Sequence, residues 1–293
     1  MTSRTSPSPV TALKRVVNQF MEANLLDWAA ALTYYGLLSL FPALIAMVSL
    51  LGLFGDPEST TETMTEIVAS LGPDTAADTF SAPIESIASS QGTAGFAFAL
   101  GVAVALWAAS GYVGAFIRAS NSIYKIREGR SFWKLRPLQI GVTLVMIAIM
   151  AVLAVGLVMT GPVVRAVAGP VGLGDTAVTI WDIGKWPVMV MLFATAVAVL
   201  YYASPNAEVR SFASVMPGSL VAVVVWAIAS AGFAFYVANF GSYDETYGTL
   251  GGFVVLLIWF WITNLAILLG HLLNAERELP LEPREQPKPW KTN

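Results

Sequence analysis

Tyr35, Ser39 and Pro42 lie at i, i+4 and i+7, which puts two hydroxyls and a proline on one face of a helix. Pro42 has no N–H, so the carbonyl of Leu38 loses its helical partner. A freed carbonyl beside hydroxyl groups is what discontinuous transmembrane helices use to hold a solute. The bland alternative is a plain proline kink, with Tyr34 and Tyr35 anchored at an interface. A second set, Asn264, His271 and Asn274, sits near the end of the last apolar stretch, where Asn264 and His271 are seven apart and share a face. An ionisable group inside a membrane span is a functional candidate by default. Here a structural hydrogen bond is the preferred reading and a proton relay the lesser one, because no intramembrane carboxylate accompanies the histidine.

The remaining reactive chemistry is thin. The chain has no cysteine and one histidine, His271, among 293 residues. Thiolate sites, disulfides and cysteine nucleophiles are therefore excluded. A zinc site would need carboxylates for its other ligands, which is uncommon. No metal, no cofactor and no catalytic residue is expected, and the chain is read as a non-enzyme. No phosphate-binding loop of the Gly-x-x-x-x-Gly-Lys type occurs, so ATP-driven transport by this chain alone is excluded. The net charge of −3 argues against a nucleic-acid partner.

The elements that must position these residues follow from composition. Apolar residues make up 56% of the chain and charged residues 12%, against roughly 25% charged in a soluble protein. Uncharged windows run from Trp28 to Gly55, Ser86 to Ile117, Pro137 to Val164, Trp186 to Ala207, Ser211 to Tyr243 and Thr246 to Ala275. Each is long enough for the ~20 residues that cross a bilayer. The expected fold is all-α, a polytopic six-transmembrane-helix bundle with spans at about 30–54, 94–117, 138–160, 186–203, 213–239 and 249–274. Counting from Ala30 at ~1.5 Å per residue places Pro42 near the bilayer midplane. Trp28, Trp133, Trp181 and Trp186 sit near span ends, as interface anchors do.

Lysine and arginine set the orientation. Fourteen of the 16 basic residues fall before the first span, in the second-to-third and fourth-to-fifth connections, or in the tail; only Arg165 and Lys185 fall on the other side. The 55–93 loop carries Asp56, Glu58, Glu62, Glu66, Asp74, Asp78 and Glu85 and no basic residue. The positive-inside rule then places both termini in the cytoplasm, N-in/C-in. Residues 1–10 and 279–293 are expected to be disordered, and 28–278 to form the membrane domain. Segment 11–27, with Val16, Val17, Phe20 and Met21 at helical spacing, is an interfacial amphipathic helix or one packed under the bundle. Short helices are expected in the outer loop, from Met64, Ile67, Val68 and Leu71 and from Phe80, Ile84 and Ile87.

Small residues mark helix contacts. Ala97, Gly101 and Ala105 recur every four positions, as do Ala266, Gly270 and Asn274. Packing within the bundle is the first reading of both stripes and a homo-oligomer face the second. There is also a faint internal match. Ser39-Leu40-Phe41-Pro42 pairs with Ser214-Val215-Met216-Pro217, and Trp107…Asn121…Arg127-Glu128 with Trp259…Asn274…Arg277-Glu278.

The stretch from Asp27 through Trp28-Ala29-Ala30-Ala31-Leu32-Thr33-Tyr34-Tyr35-Gly36 to Pro42 resembles the signature of the YihY/BrkB family. So do Pro217-Gly218, Tyr236 with Asn239 and Phe240, Tyr243, Tyr247-Gly248, Trp259 and Asn274. The resemblance covers essentially residues 10–278 and implies a six-helix, multi-pass protein of the bacterial inner membrane. Members have carried the label ribonuclease BN, but a single histidine cannot supply a histidine-rich metal motif. The chain departs from the expected Gly-Ala-Glu ending of the last span, with Gly270-His271-Leu272 instead. The functional expectation is a transporter or flippase-like protein for an amphiphilic or lipid-like solute, with the lipid bilayer as its first partner. The alternative is a membrane scaffold or envelope-integrity protein without transport.

Overall fold

A computed structural model describes residues 9–54, 94–158, 175–207, 211–240 and 249–278. The expected outer-loop helices, the tail, residues 1–8, Tyr243, Tyr247 and Gly248 lie outside the described residues. Among the described residues there are seven helices and no strands: α1 Pro9–Glu22, α2 Leu25–Phe54, α3 Ala94–Ile123, α4 Phe132–Val158, α5 Asp175–Ala203, α6 Phe212–Phe240 and α7 Thr249–Glu278. Every long helix except α6 overruns, at one end, the charge-free window that announced it. α5, for example, begins eleven residues before Trp186 and takes in Asp182 and Lys185. A charge deters burial in lipid, yet leaves the helix itself intact.

Five of the described helices hold a stretch long and apolar enough to cross a membrane: Val102–Ile123, Phe132–Leu153, Ile183–Ala203, Phe212–Asn239 and Gly251–Arg277. α2 is 30 residues long and runs without a break from Leu25 to Phe54, through position 42. Its side chains beyond Ser39, Pro42 included, lie outside the described residues.

The long helices pack in a ring. α2 lies on α3, α3 on α4, α4 on α5, α5 on α6, α6 on α7, and α7 back on α2, with α3 also reaching α7 and α5 across the ring. Over the 18-residue apolar stretch of each of these five, α3 is the most enclosed, 44% buried, and α6 the least, at 11%.

The core occupies one end. Leu25 and Leu32 of α2, Phe116 and Ile123 of α3, Tyr201 of α5, Val215 of α6 and Leu268 and Leu272 of α7 are all buried. This is the end that carries the basic connections. Towards the other end, Val152, Ile183, Ile228 and Phe235 stand more than half exposed. Apolar surface on that scale needs a non-aqueous partner, and lipid supplies it.

Two turns close the packed end. Asn24, with φ 52°, links α1 to α2, and asparagine tolerates that left-handed conformation. Lys125, with φ 55°, ends α3. There the Ile126 N–H donates to the Asn121 carbonyl at 2.9 Å and the Lys125 N–H to Ser122 at 3.1 Å, the double closure of a Schellman motif. Lys125 Nζ also meets Glu22 at 2.5 Å, tying the end of α1 to the same turn. α1 packs Val16 and Phe20 on the core and buries Gln19, while Val17 and Met21 face outward.

Candidate functional site

α7 carries a seam of three buried polar residues, each reaching a different neighbour. Asn264 is the first. Its Oδ1 accepts the Tyr112 hydroxyl at 2.7 Å, and its Nδ2 donates to Thr33 Oγ1 at 3.2 Å. Thr33 in turn donates to the Ala29 carbonyl at 2.8 Å. One amide thus holds α2, α3 and α7 together. Lipid offers these groups no substitute partner, which is why polar residues act as glue between such helices.

His271 comes next, two turns along, and is fully buried. Its Nε2 lies 2.6 Å from Ser120 Oγ, with the direction of donation set by the tautomer. The imidazole stacks on Tyr201 at 4.6 Å between ring centres, with Tyr124 at 5.4 Å and Phe116 at 5.5 Å. The Tyr201 hydroxyl donates to the Ile267 carbonyl of α7. A serine and a histidine at this distance have the spacing of a nucleophile and its base. However, Nδ1 has no hydrogen-bond partner among the described residues, and both side chains are closed off from the surface. The orienting carboxylate and the access for a substrate that such a pair needs are not provided by the residues around it.

Asn274 is the third. Its Oδ1 accepts the Gly218 N–H at 3.0 Å and its Nδ2 donates to the Val215 carbonyl at 2.8 Å. Pro217 lies between these two groups, and a proline inside a helix disturbs the ladder around it. Asn274 binds backbone groups on either side of it. Gly218 allows the approach, since a Cβ there would run into the Asn274 side chain. Gly270 does the same for the helix pair: a Cβ would meet the Gly218 carbonyl, Ala222 and the Tyr201 hydroxyl. The Ala266, Gly270, Asn274 stripe therefore faces α6 of the same chain.

The α3–α4 connection carries a charged clamp. Glu128 takes Arg130 in a two-pronged pair, Nε to Oε1 and NH2 to Oε2, both at 2.8 Å, and accepts Asn121 Nδ2 at 2.8 Å. Arg130 also donates to the Ser204 carbonyl at the end of α5, at 2.8 Å. Asn121 Oδ1 accepts the Asn206 N–H at 2.9 Å. The Arg130 guanidinium hydrogen-bonded to Glu128 holds its carboxyl down to about 2, so the clamp stays charged throughout the physiological range. Asn121 and Asn274, paired by the faint internal match, play the same part: each offers its amide oxygen to a backbone N–H of a neighbouring element.

The other sequence-selected residues are placed as follows. Tyr34 is exposed and meets Tyr35 edge-on, at 5.4 Å between centres. Tyr35 packs beside Gly111 of α3. Ser39 Oγ turns back to the Gly36 carbonyl at 2.7 Å. Tyr35, Ser39 and Asn264 thus face three different partners. Asp27 lies in the first turn of α2, where its charge suits the helix dipole. Tyr236 is exposed, and Asn239 Nδ2 donates to the Phe235 carbonyl at 2.7 Å. Trp259 donates from Nε1 to Ser230 Oγ at 3.2 Å. Sequence reasoning did not single out Tyr112, Ser120 or Tyr201, because a lone hydroxyl in an apolar span carries no spacing signal. Among the described residues no group of three or more His, Asp or Glu residues could hold a metal ion.

Known proteins supply the last piece. The chain is 33% identical over 249 residues to the ribonuclease-like protein YfkH of Bacillus subtilis (strain 168), covering 84% of this chain and 88% of that one. It is 32% identical over 167 residues to the UPF0761 membrane protein RSc1559 of Ralstonia nicotianae, covering 54% of this chain and 34% of that one. With a UPF0761 membrane protein of Tolumonas auensis it shares 35% identity over 85 residues, 29% of this chain and 28% of that one. The matched stretches therefore span only about a third of these two membrane relatives. No solved structure matches. The family described as virulence factor BrkB matches residues 16–293, and the chain is a membrane protein belonging to that family.

Proposed function

We propose that this protein is a six-span protein of the bacterial inner membrane, with both termini in the cytoplasm, that moves an amphiphilic or lipid-like solute. α2 is the sixth span of this reading, and the basic connections set its orientation. One observation carries the transport reading: among the described residues the buried polar fastenings gather towards one end of the bundle, and further along α6 and α7 are linked by Trp226 to Thr263 and Trp259 to Ser230. The seam of Asn264, His271 and Asn274 and the Glu128 clamp fasten the basic end, while α6 is only 11% buried over its 18-residue apolar stretch. Helices fastened chiefly at one end, and thinly packed beyond it, can part sideways and admit a solute from lipid. Domain closure and opening elsewhere use the same combination of a fixed hinge and a loosely packed flank.

A second reading, a scaffold or envelope-integrity protein without transport, draws on the seam itself. Ser39 is satisfied by its own helix and Asn264 by two neighbours, which leaves little polar capacity for a solute. A nuclease is the least supported reading. The ribonuclease-like name belongs to the Bacillus relative, and one histidine without cysteine offers little for metal-dependent cleavage.

Reconstitution decides between the first two. Proteoliposomes holding fluorescent phospholipids, or loaded with water-soluble amphiphiles, should show protein-dependent movement. Ser39→Leu and Pro42→Ala should slow it. If the unmodified protein moves no lipid and no amphiphile faster than protein-free liposomes do, the scaffold reading replaces transport.

A further inference from the structure

α3 presents one stripe that runs along the cleft between two neighbouring helices. Leu100, Val104, Trp107, Gly111, Gly114 and Arg118 recur at spacings of three and four and so share a face. Phe116 and Ser120, both fully buried, lie on the opposite side of α3 and face the ring interior. The stripe thus looks outward between α2 and α4, which leave it open at Leu100, Val104 and Trp107 and close over it at Gly114. Leu100, Val104 and Trp107 are each more than half exposed. The result is a groove with a glycine floor. Tyr35 of α2 forms one wall, 3.5 Å from where a Gly111 Cβ would stand, and Gln139 of α4 forms the other, 3.0 Å from a Gly114 Cβ.

Two arginines stand in this groove. Arg118 of α3 lies over the Tyr35 ring at 5.5 Å, and Arg136 of α4 lies over the Trp107 ring at 3.6 Å. Arg136 donates to Gln139 Oε1 at 2.8 Å and to the Trp107 carbonyl at 3.3 Å. Its Nε is enclosed and has no partner. Among the described residues neither arginine meets a carboxylate, unlike Lys125, which pairs with Glu22, and Arg130, which pairs with Glu128. Arginine inside a span is costly, and it ordinarily faces a partner or water. Two unneutralised guanidiniums at the lipid boundary call for an anion. The apolar track of Leu100, Val104 and Trp107 that runs on from them calls for an acyl chain.

We propose that the α2–α3–α4 groove is a binding site for an anionic phospholipid of the inner leaflet. Arg118 and Arg136 take the headgroup phosphate. Guanidinium suits it because its planar fork donates to phosphate in pairs. Gly111, half-buried beside Tyr35, leaves room at the head of the groove, and Leu100, Val104 and Trp107 carry an acyl chain. The site rests on the transport reading in one respect, naming the solute class, while binding itself is a separate measurement from movement.

The test is native mass spectrometry of the purified full chain with an equimolar mixture of phosphatidylglycerol and phosphatidylcholine. The unmodified protein should retain phosphatidylglycerol preferentially. Arg118→Gln and Arg136→Gln should each reduce that preference roughly tenfold, about 1.4 kcal/mol. Arg118→Lys should restore part of it, and Gly111→Leu, which fills the groove and keeps both charges, should reduce retention of bound lipid. Lys134→Gln, an exposed charge outside the stripe, should change nothing. Arg118 is exposed, so its variant tests the site even if Arg136→Gln fails to fold. An unchanged preference in Arg118→Gln, or an equal loss in Lys134→Gln, overturns the site. A preference that follows the prediction while proteoliposomes move no lipid upholds the site and refutes transport alone.

Discussion

Gly270→Leu should lower thermal stability by roughly 4–12 °C, corresponding to ~2–3 kcal/mol of overpacking. The position has no room for even one carbon. A Cβ would meet the Gly218 carbonyl, which is backbone and cannot swing aside, along with Ala222 and the Tyr201 hydroxyl. α6 and α7 would have to separate there. Separation would also stretch the two bonds from Asn274 to Gly218 and Val215, buried bonds that lipid cannot replace. Gly232→Leu, on α6 with nothing within 4 Å of its Cβ, is the control and should leave the melting temperature unchanged or raised. Tryptophan fluorescence during heating of the detergent-solubilised protein reads both. Equal stability of the two variants would remove the close α6–α7 contact from the account.

His271→Ala should cost ~3–4 kcal/mol, by large-to-small truncation in an enclosed site. The imidazole fills the space among Tyr201, Phe116 and Tyr124, and its loss leaves Ser120 Oγ without its partner. Ser120→Ala removes the hydrogen bond and keeps the ring, so it should cost only ~1 kcal/mol. Added to His271→Ala, it should cost almost nothing further, because the bond is already gone. Melting curves of the four proteins give the cycle. If Ser120→Ala alone matched His271→Ala, the hydrogen bond would be the main contribution and aromatic packing a minor one.

The helices were legible because lipid imposes a simple rule on sequence: long stretches must lack charge. That rule says little about where a helix stops. α3 continues past residue 117 through Arg118 to Ile123, and α4 begins at Phe132 and takes in Lys134 and Arg136. Long basic side chains can keep their heads near the interface while their stems remain on the helix. The polar seam was half legible. Asn264, His271 and Asn274 stand out on α7, but their partners lie far away in sequence, Ser120 by 151 residues and Thr33 by 231. Nothing local marks Ser120 or Tyr112 among the other hydroxyls. The Gly218–Asn274 contact was visible only as two separate features, a proline-glycine pair and a small-residue stripe. That the two meet is a property of the folded ring.

Everything functional turns on which side of the membrane the locked, basic end occupies, because that decides the leaflet on which the Arg118–Arg136 groove opens. The chain has no cysteine, so single introduced thiols report without background. In intact spheroplasts, an impermeant maleimide should label Ser70→Cys, in the acidic 55–93 loop, directly. It should label Ser131→Cys, beside the Glu128 clamp, only after the membrane is permeabilised. Labelling of Ser131→Cys from outside, with Ser70→Cys protected until permeabilisation, would contradict the orientation and the proposal of an inner-leaflet lipid site with it.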